Sequence, residues 1–330
     1  MCQARAVAYT GGELTDNARP TAPELAMDSR KPLDFTAISL MLMLCLIWSM
    51  QQIALKATAA DFSPVLQIAL RSGVGALLVG ALMLFRRERL SVSQGIWKAG
   101  CLAGLLFALE FLLVGEAVLH TSSGHVVVFL YTAPVFAALG LHWKLPNERL
   151  APLQWIGVGL AFAGIAVAFL RGAASDSAMG DVLWGDFLAL LGGAAWGSTT
   201  VLVRTTRLSS LPATQTLLYQ LLMGFALLLP IALLTSHTTF NPTGLVWLSL
   251  GFQSLLVSFA SYLIWFSLLR RYLASRLGVL SFLTPLFGVA LGVWLLSEPI
   301  EPGFVAGALM ALTGIVLVSG YGWIVAIARR

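Results

Sequence analysis

The sequence is poor in charged residues and in cysteine. Only 11% of its 330 residues are charged, whereas a soluble domain carries about 25%, so the chain lacks the polar surface needed to face water. Its three cysteines, Cys2, Cys45 and Cys101, form neither a disulfide framework nor a metal-ligand pattern. With 58% hydrophobic residues and a mean hydropathy of +0.87, the chain is expected to use the lipid bilayer as its solvent.

Several enzyme motifs are also missing. There is no Walker lysine loop and no nucleophile elbow, and His120 and His125 are five residues apart without a glutamate between them. The glycines at 73, 75 and 157–164 lie in apolar segments with no preceding strand, so they indicate helix packing rather than a dinucleotide site. We therefore predict no cofactor, no metal and no ATP hydrolysis, with a membrane-embedded enzyme as the less favoured alternative.

The first 34 residues differ from the rest of the chain. They contain glycine, proline, threonine and charges of both signs without apolar periodicity, which predicts a disordered tail over 1–34. They also lack the short apolar core and small residues of a cleaved signal peptide.

From Phe35 onward, apolar stretches long enough to cross a membrane alternate with short polar breaks. Such runs are too long for the strands of a transmembrane barrel. The predicted fold class is therefore all-α: a polytopic membrane protein with ten transmembrane helices. The predicted spans are 35–57, 64–85, 95–119, 123–145, 151–170, 181–204, 212–234, 243–269, 275–296 and 303–326.

The distribution of lysine and arginine predicts the orientation. With the N-terminus in the cytoplasm, fifteen basic residues lie in the inner segments, and only Lys56 and Arg171 lie outside. Both termini are therefore expected to be cytoplasmic. The net charge of +5 then favours an anionic lipid surface as partner and not nucleic acid.

The chain repeats itself. Pro134 and Pro285 occupy matching places 151 residues apart, and Trp48 and Trp196 match at a distance of 148. These matches predict two five-helix repeats, over 35–170 and 171–330. Because five is odd, the second repeat must enter the membrane inverted, an arrangement that transporters use to alternate access to a midplane site. A duplication that only builds a stable bundle is the alternative.

The stretch GEAVLHTSSGHVVVFLYTAPVFAALGLHWKLPNERL and the helix starts LIWSMQQIALK and GAAWGSTTVLVR carry a family resemblance. They resemble the EamA-type repeat of the drug/metabolite transporter superfamily, over about residues 35–326, and are similar to YddG-type amino acid exporters. The resemblance implies export of amino acids, other metabolites or cationic drugs across a bacterial inner membrane. Two residues depart from the family pattern. One is His125, and the other is Ser49, which stands where the second repeat has Gly197.

Polar and aromatic residues recur on matched helix faces of both repeats, at helical spacing. A shared central cavity would be lined in this way, and aromatic walls with a few polar groups suit an amphipathic small-molecule solute. Ordinary helix packing and helix–helix hydrogen bonding are the alternative. The predicted solute contacts are Trp48, Gln51, Gln52, Phe107, Glu110, Phe111, His125, Trp196, Thr199, Ser261, Tyr262 and Trp265.

Charged residues and prolines within the spans predict further roles. Lys56, Arg71 and Glu116 are candidates for gating or charge, because ionisable groups in a membrane are costly; a structural ion pair such as Arg71 with Glu116 is the alternative. Pro134 and Pro285 are predicted hinges.

Glu110 is the acid expected near the bilayer centre, where desolvation favours its neutral form. It would either hold a solute's ammonium group or carry a proton. Proton coupling and the oligomeric state, a monomer included, stay open.

Overall fold

The computed structural model describes residues 34–146, 149–171, 177–272, 277, 280–281, 283–300 and 302–328. The predicted disordered tail therefore lies outside the described residues, except for Asp34. No strand occurs in these ranges, whose regular secondary structure is helical.

The first half of the chain forms five apolar segments from six helices. The helices are α1 Phe35–Thr58, α2 Pro64–Phe85, α3 Gln94–His120, α4 Ser123–Leu130, α5 Ala133–Lys144 and α6 Pro152–Arg171. The second half follows the same plan. Its helices are α7 Ser177–Thr205, α8 Ala213–Leu234, α9 Gly244–Gly251 with a π-helical segment Phe252–Ser261 and α10 Tyr262–Arg271, α11 Leu283–Leu296, α12 Pro302–Ser319 and α13 Tyr321–Ala328.

Within the described residues, ten apolar segments overlap the ten predicted spans. Seven are long and apolar enough to cross a membrane, and three shorter ones occupy Pro152–Val167, Leu283–Leu296 and Pro302–Val318. The predicted fold class, an all-α polytopic membrane protein, is confirmed.

The fourth span is divided, whereas the sequence predicted one helix over 123–145. Helix α4 ends at Leu130, and α5 begins at Ala133 with Pro134 in its first turn. The Thr132 hydroxyl donates to the carbonyl of Phe129 at 2.6 Å, and proline has no N–H to continue the helical ladder. Pro134 therefore starts a second helix after a break and does not bend a continuous one. Pro285 is buried in α11.

The eighth span contains another irregularity that the sequence did not indicate. Residues Phe252–Ser261 are π-helical, between α9 and α10. A π-helix turns more slowly than an α-helix, so the side chains before and after this segment do not share the single face assumed from a 3.6-residue period. The consequence is that Gln253 joins the central polar residues described below.

Helices α6 and α12 cross where their glycines meet. A Cβ atom on Gly164 would collide with the backbone nitrogen of Ala311, and one on Gly314 would collide with that of Ala161. Both helices therefore need glycine at the crossing. The matched positions show that the fifth span of one repeat packs on the fifth span of the other.

Candidate central site

Two tryptophans, one from each half of the chain, pack against each other. Trp48 on α1 and Trp265 on α10 pack edge to face, with their ring centroids 5.6 Å apart. The indole Nε1 of Trp48 donates a hydrogen bond of 3.0 Å to the hydroxyl of Ser261. This bond fixes the ring, because indole nitrogen is a donor that needs an acceptor when buried.

Two further aromatic pairs contain predicted residues. Phe107 and Phe111 lie one turn apart on α3, with centroids separated by 4.7 Å. Trp196 on α7 packs edge to face on Tyr131, which lies in the break of the fourth span, at 5.3 Å. Both repeats thus contribute aromatic rings.

The guanidinium of Arg71 is buried in the bundle, at 1% exposure. Its Nη1 donates to the side-chain oxygen of Gln253, and its Cζ lies 4.5 Å from the centroid of the Phe111 ring. Gln253 in turn donates from Nε2 to the backbone carbonyl of Gln51 at 2.9 Å. Because the Gln51 carbonyl can only accept, the amide nitrogen of Gln253 must face it. The amide oxygen of Gln253 is then left to face Arg71.

Glu110 is 7% exposed, and it makes no hydrogen bond or ion pair within 4 Å to another described residue. Arg71 and Tyr262 interact with it electrostatically. A carboxylate and a guanidinium therefore lie near each other in the bundle without direct pairing. Such an arrangement is costly in the membrane unless another group comes between the charges.

The alternative pairing of Arg71 with Glu116 does not occur. Glu116 instead lies 3.2 Å from Nδ1 of His237, in the loop that follows α8. Glu116 is close to the end of α3, whereas Arg71 lies deeper within α2. A loop residue therefore reaches Glu116, and Arg71 finds its partner inside the bundle.

His125 is a predicted contact that the structure places elsewhere. His125, Thr121 and Asp186 lie together and form the Asp186 cluster. The cluster is at the end of the bundle that also holds His120 and Glu298, which we call the histidine end. Asp186 accepts from the Thr121 hydroxyl at 2.7 Å and lies 2.9 Å from Nδ1 of His125. The His125 ring stacks on Phe304 of α12 at a centroid distance of 3.7 Å.

Lys56 also belongs to the histidine end. Its Nζ donates to the carbonyls of Val118 at 2.5 Å and Thr121 at 2.8 Å, which are orphan groups at the end of α3. Glu298, which lies between α11 and α12, accepts from the backbone nitrogen and hydroxyl of Ser123 at the start of α4. A carboxylate is favourable at that positive helix end.

The remaining predicted contacts make few bonds. Gln52 is 2% exposed and its Oε1 has no partner among the described residues. Thr199 donates only to the carbonyl of Ala195 on its own helix, at 3.1 Å.

A groove of about 760 Å³ at the opposite end of the bundle, between Gly95 and Ser210, touches none of the predicted contacts.

Sequence reasoning missed Gln253, Tyr131 and Asp186. Asp186 carried a signal, since an acid within an apolar span marks a functional candidate by default. Gln253 was missed because the predicted contacts on the eighth span begin only at Ser261, and Tyr131 was missed because the fourth span was predicted as one helix.

These features define the class: a polytopic helical membrane protein made of two similar halves around buried aromatic and charged side chains. The chain matches the EamA-like transporter family over residues 35–170 and 183–320, and it belongs to that family. It is thus a membrane transporter and not an enzyme.

Known relatives agree with this assignment. The chain is 24% identical to the uncharacterized transporter YoaV of Bacillus subtilis over 278 residues, covering 82% of this chain and 92% of the relative. It is 27% identical to an uncharacterized transporter of Archaeoglobus fulgidus, covering 83% and 92%, and 31% identical to an uncharacterized protein of Pseudomonas aeruginosa, covering 80% and 86%. A crystal structure of another protein superimposes with a TM-score of 0.62 at 21% identity, covering 88% of this chain and 98% of the other. That similarity shows the fold alone.

Proposed function

We propose that this protein exports small amphipathic metabolites, amino acids first among them, through a central site. The observation that carries the proposal is Glu110, a buried carboxylate with no direct partner among the described residues. An acid at that depth is costly and marks a path for solutes or ions. Phe107 and Phe111 lie on the same helix as Glu110, and aromatic rings attract cations, so the site suits a solute with an ammonium group and an apolar body.

Alternating access between inverted repeats is the proposed mechanism. Thr121 directly follows α3 and donates to Asp186 on α7, the first helix of the second half. Tyr272 directly follows α10, 151 residues later, and donates to Asp34 at the start of α1 at 2.8 Å. Each half therefore offers a hydroxyl to a carboxylate of the other half, at opposite ends of the bundle. Breaking one bond while keeping the other would open the site to one side at a time.

The proposed location is a bacterial inner membrane, with the histidine end outside and both termini in the cytoplasm. The support is the excess of lysine and arginine at the opposite end. A single cysteine at position 238 should react with a membrane-impermeant maleimide added to whole cells. One at position 89 should react only after the membrane is opened. The reverse pattern would overturn the orientation.

The function is tested by counterflow into proteoliposomes, with labelled amino acids and organic cations as probes. We expect saturable flux of at least one amino acid. Glu110→Gln should lower the affinity for ammonium-bearing solutes at every pH, while Glu116→Gln, which changes a second acid on the same helix, should leave it nearly unchanged. No saturable flux of any probe by the native protein would overturn the proposal.

Organic cations are the second candidate, because Glu110 and the aromatic pairs would attract them as well. Proton exchange is a further possible use of the same carboxylate. In that case Glu110→Gln would abolish transport driven by a pH gradient but keep downhill exchange. A variant that folds and transports like the native protein across the pH range would remove Glu110 from both roles.

A further inference from the structure

One edge of the Arg71 guanidinium is unused. Nη1 is bonded to Gln253, but Nε and Nη2 are buried and have no hydrogen-bond partner among the described residues. Nε and Nη2 together form the side-on edge of an arginine, with two parallel N–H groups. This edge matches the two oxygens of a carboxylate.

The surroundings cover that edge but offer it no acceptor among the described residues. Phe111 covers one face of the guanidinium, and Gln253, held by the Gln51 carbonyl, fixes the corner at Nη1. No described carboxylate lies within 4 Å of Arg71, although Glu110 interacts with it electrostatically. A buried guanidinium with two unpaired N–H groups is costly, so an acceptor is expected to enter from outside the chain.

We propose that Arg71 is the anion anchor of the central site, and that its Nε–Nη2 edge binds a carboxylate of the solute while Glu110 faces the ammonium group. This inference rests on the proposed transport function. It makes an anionic group a requirement for transport, because a solute with only a cationic head would meet an unpaired positive charge. Zwitterionic amino acids therefore fit the site, and simple organic amines do not.

Two alternative fates of the unused edge do not involve the solute. An ordered water could satisfy the N–H groups, or Arg71 could turn and pair directly with Glu110. In either case the carboxylate of a solute would contribute nothing to its affinity. Comparing solutes that differ only in that group therefore distinguishes carboxylate binding from both alternatives.

The experiment uses the full chain in proteoliposomes, with labelled L-phenylalanine counterflow and three unlabelled competitors. These are L-phenylalanine, 2-phenylethylamine, which lacks the carboxylate, and 3-phenylpropionate, which lacks the ammonium group. For the native protein we expect the amine to compete roughly 100-fold more weakly than the amino acid. Arg71→Gln should weaken phenylalanine binding by a similar factor and bring the amino acid and the amine to within about threefold of each other.

The matched control is Arg86→Gln, which removes an exposed guanidinium next to the end of the same helix. This variant should change neither the affinity for phenylalanine nor the ratio between the amino acid and the amine. Equal competition by the amine and the amino acid on the native protein would overturn the inference while leaving transport intact. So would an Arg71→Gln variant that weakens all competitors by the same factor. If that variant does not fold, the competitor series on the native protein still decides. Native protein that carries no probe would overturn the transport function, and this inference with it.

Discussion

Removing one hydroxyl from the Asp186 cluster should open the histidine end. The Thr121 hydroxyl donates a hydrogen bond of 2.7 Å to the carboxylate of Asp186, a residue that is 1% exposed. A hydrogen bond to a charged group contributes about 1.5–3 kcal/mol. Thr121→Val keeps the shape of the side chain but loses this bond. If the bond exists only in the closed state, the population open at the histidine end should rise roughly 10- to 150-fold.

The assay is the labelling rate of a buried cysteine. Val114 is fully buried on α3, with a methyl group 3.5 Å from the Cβ position of Gly192 on α7, so it becomes accessible only when these helices part. Val114→Cys in a cysteine-free background should react slowly with an impermeant maleimide added outside. Adding Thr121→Val should raise the rate by the factor given above, because the rate follows the open fraction.

A matched control is Thr313→Val, since that hydroxyl donates only to Leu309 of its own helix, at 2.7 Å. It should not change the labelling rate. An unchanged rate in the Thr121→Val protein, together with a lower melting temperature, would refute the reasoning. The bond would then stabilise the fold without opposing opening.

Three further predictions concern the site, the helix breaks and the glycine crossing. Trp265→Ala removes an edge-to-face partner and should weaken aromatic solute binding about 2- to 10-fold, as measured by counterflow, with expression unchanged; bound solute far from this ring would contradict it. The Pro134→Ala, Pro285→Ala double variant should bind solute but transport it more slowly, and full flux would count against hinges. Gly164→Leu should lower the melting temperature in detergent because the helices must separate, whereas Gly159→Leu, with nothing within 4 Å of its Cβ position, should not; equal losses would disprove the crossing.

The positions of the spans were predictable, but their internal breaks were not. Long apolar runs dictate membrane helices because the bilayer offers the backbone no other partner, so all ten segments follow from composition. Pro134 explains why the helix stops there, but the sequence does not show how this break packs on α7, where a Cβ on Gly193 would lie 2.9 Å from the carbonyls of Phe129 and Leu130. No residue in Phe252–Ser261 by itself signals the π-helical segment.

Several predicted site residues were assigned to matched faces by counting helical turns, which gives relative positions only where the helix is regular. Phe107 and Phe111 pair as spacing on α3 requires. The contacts of His125 could not be predicted, because its partners, Asp186 and Phe304, come from distant segments. Spacing within one helix gives the face of a residue but not the helix that this face meets.

The two halves share their backbone plan but not their charges. Arg71 and Glu110 both belong to the first half, and the repeat places Tyr219 and Ser261 at the matching positions. Tyr219 donates to the carbonyl of Ser91 at 2.8 Å, so it serves a loop instead of the site.

The second half supplies neutral groups to the first half's charges, through Gln253 and Tyr262. If Arg71 and Glu110 bind the solute as proposed, a duplicated scaffold with one charged copy would give a path with a similar backbone plan in both halves and asymmetric electrostatics. A zwitterionic solute would then keep one orientation, carboxylate towards α2 and ammonium towards α3, whichever end of the bundle is open. When the two halves swap conformations, the charged side chains would stay in the first half. Opening either end would therefore change the access to the site, while Arg71 and Glu110 would recognise the solute in both states.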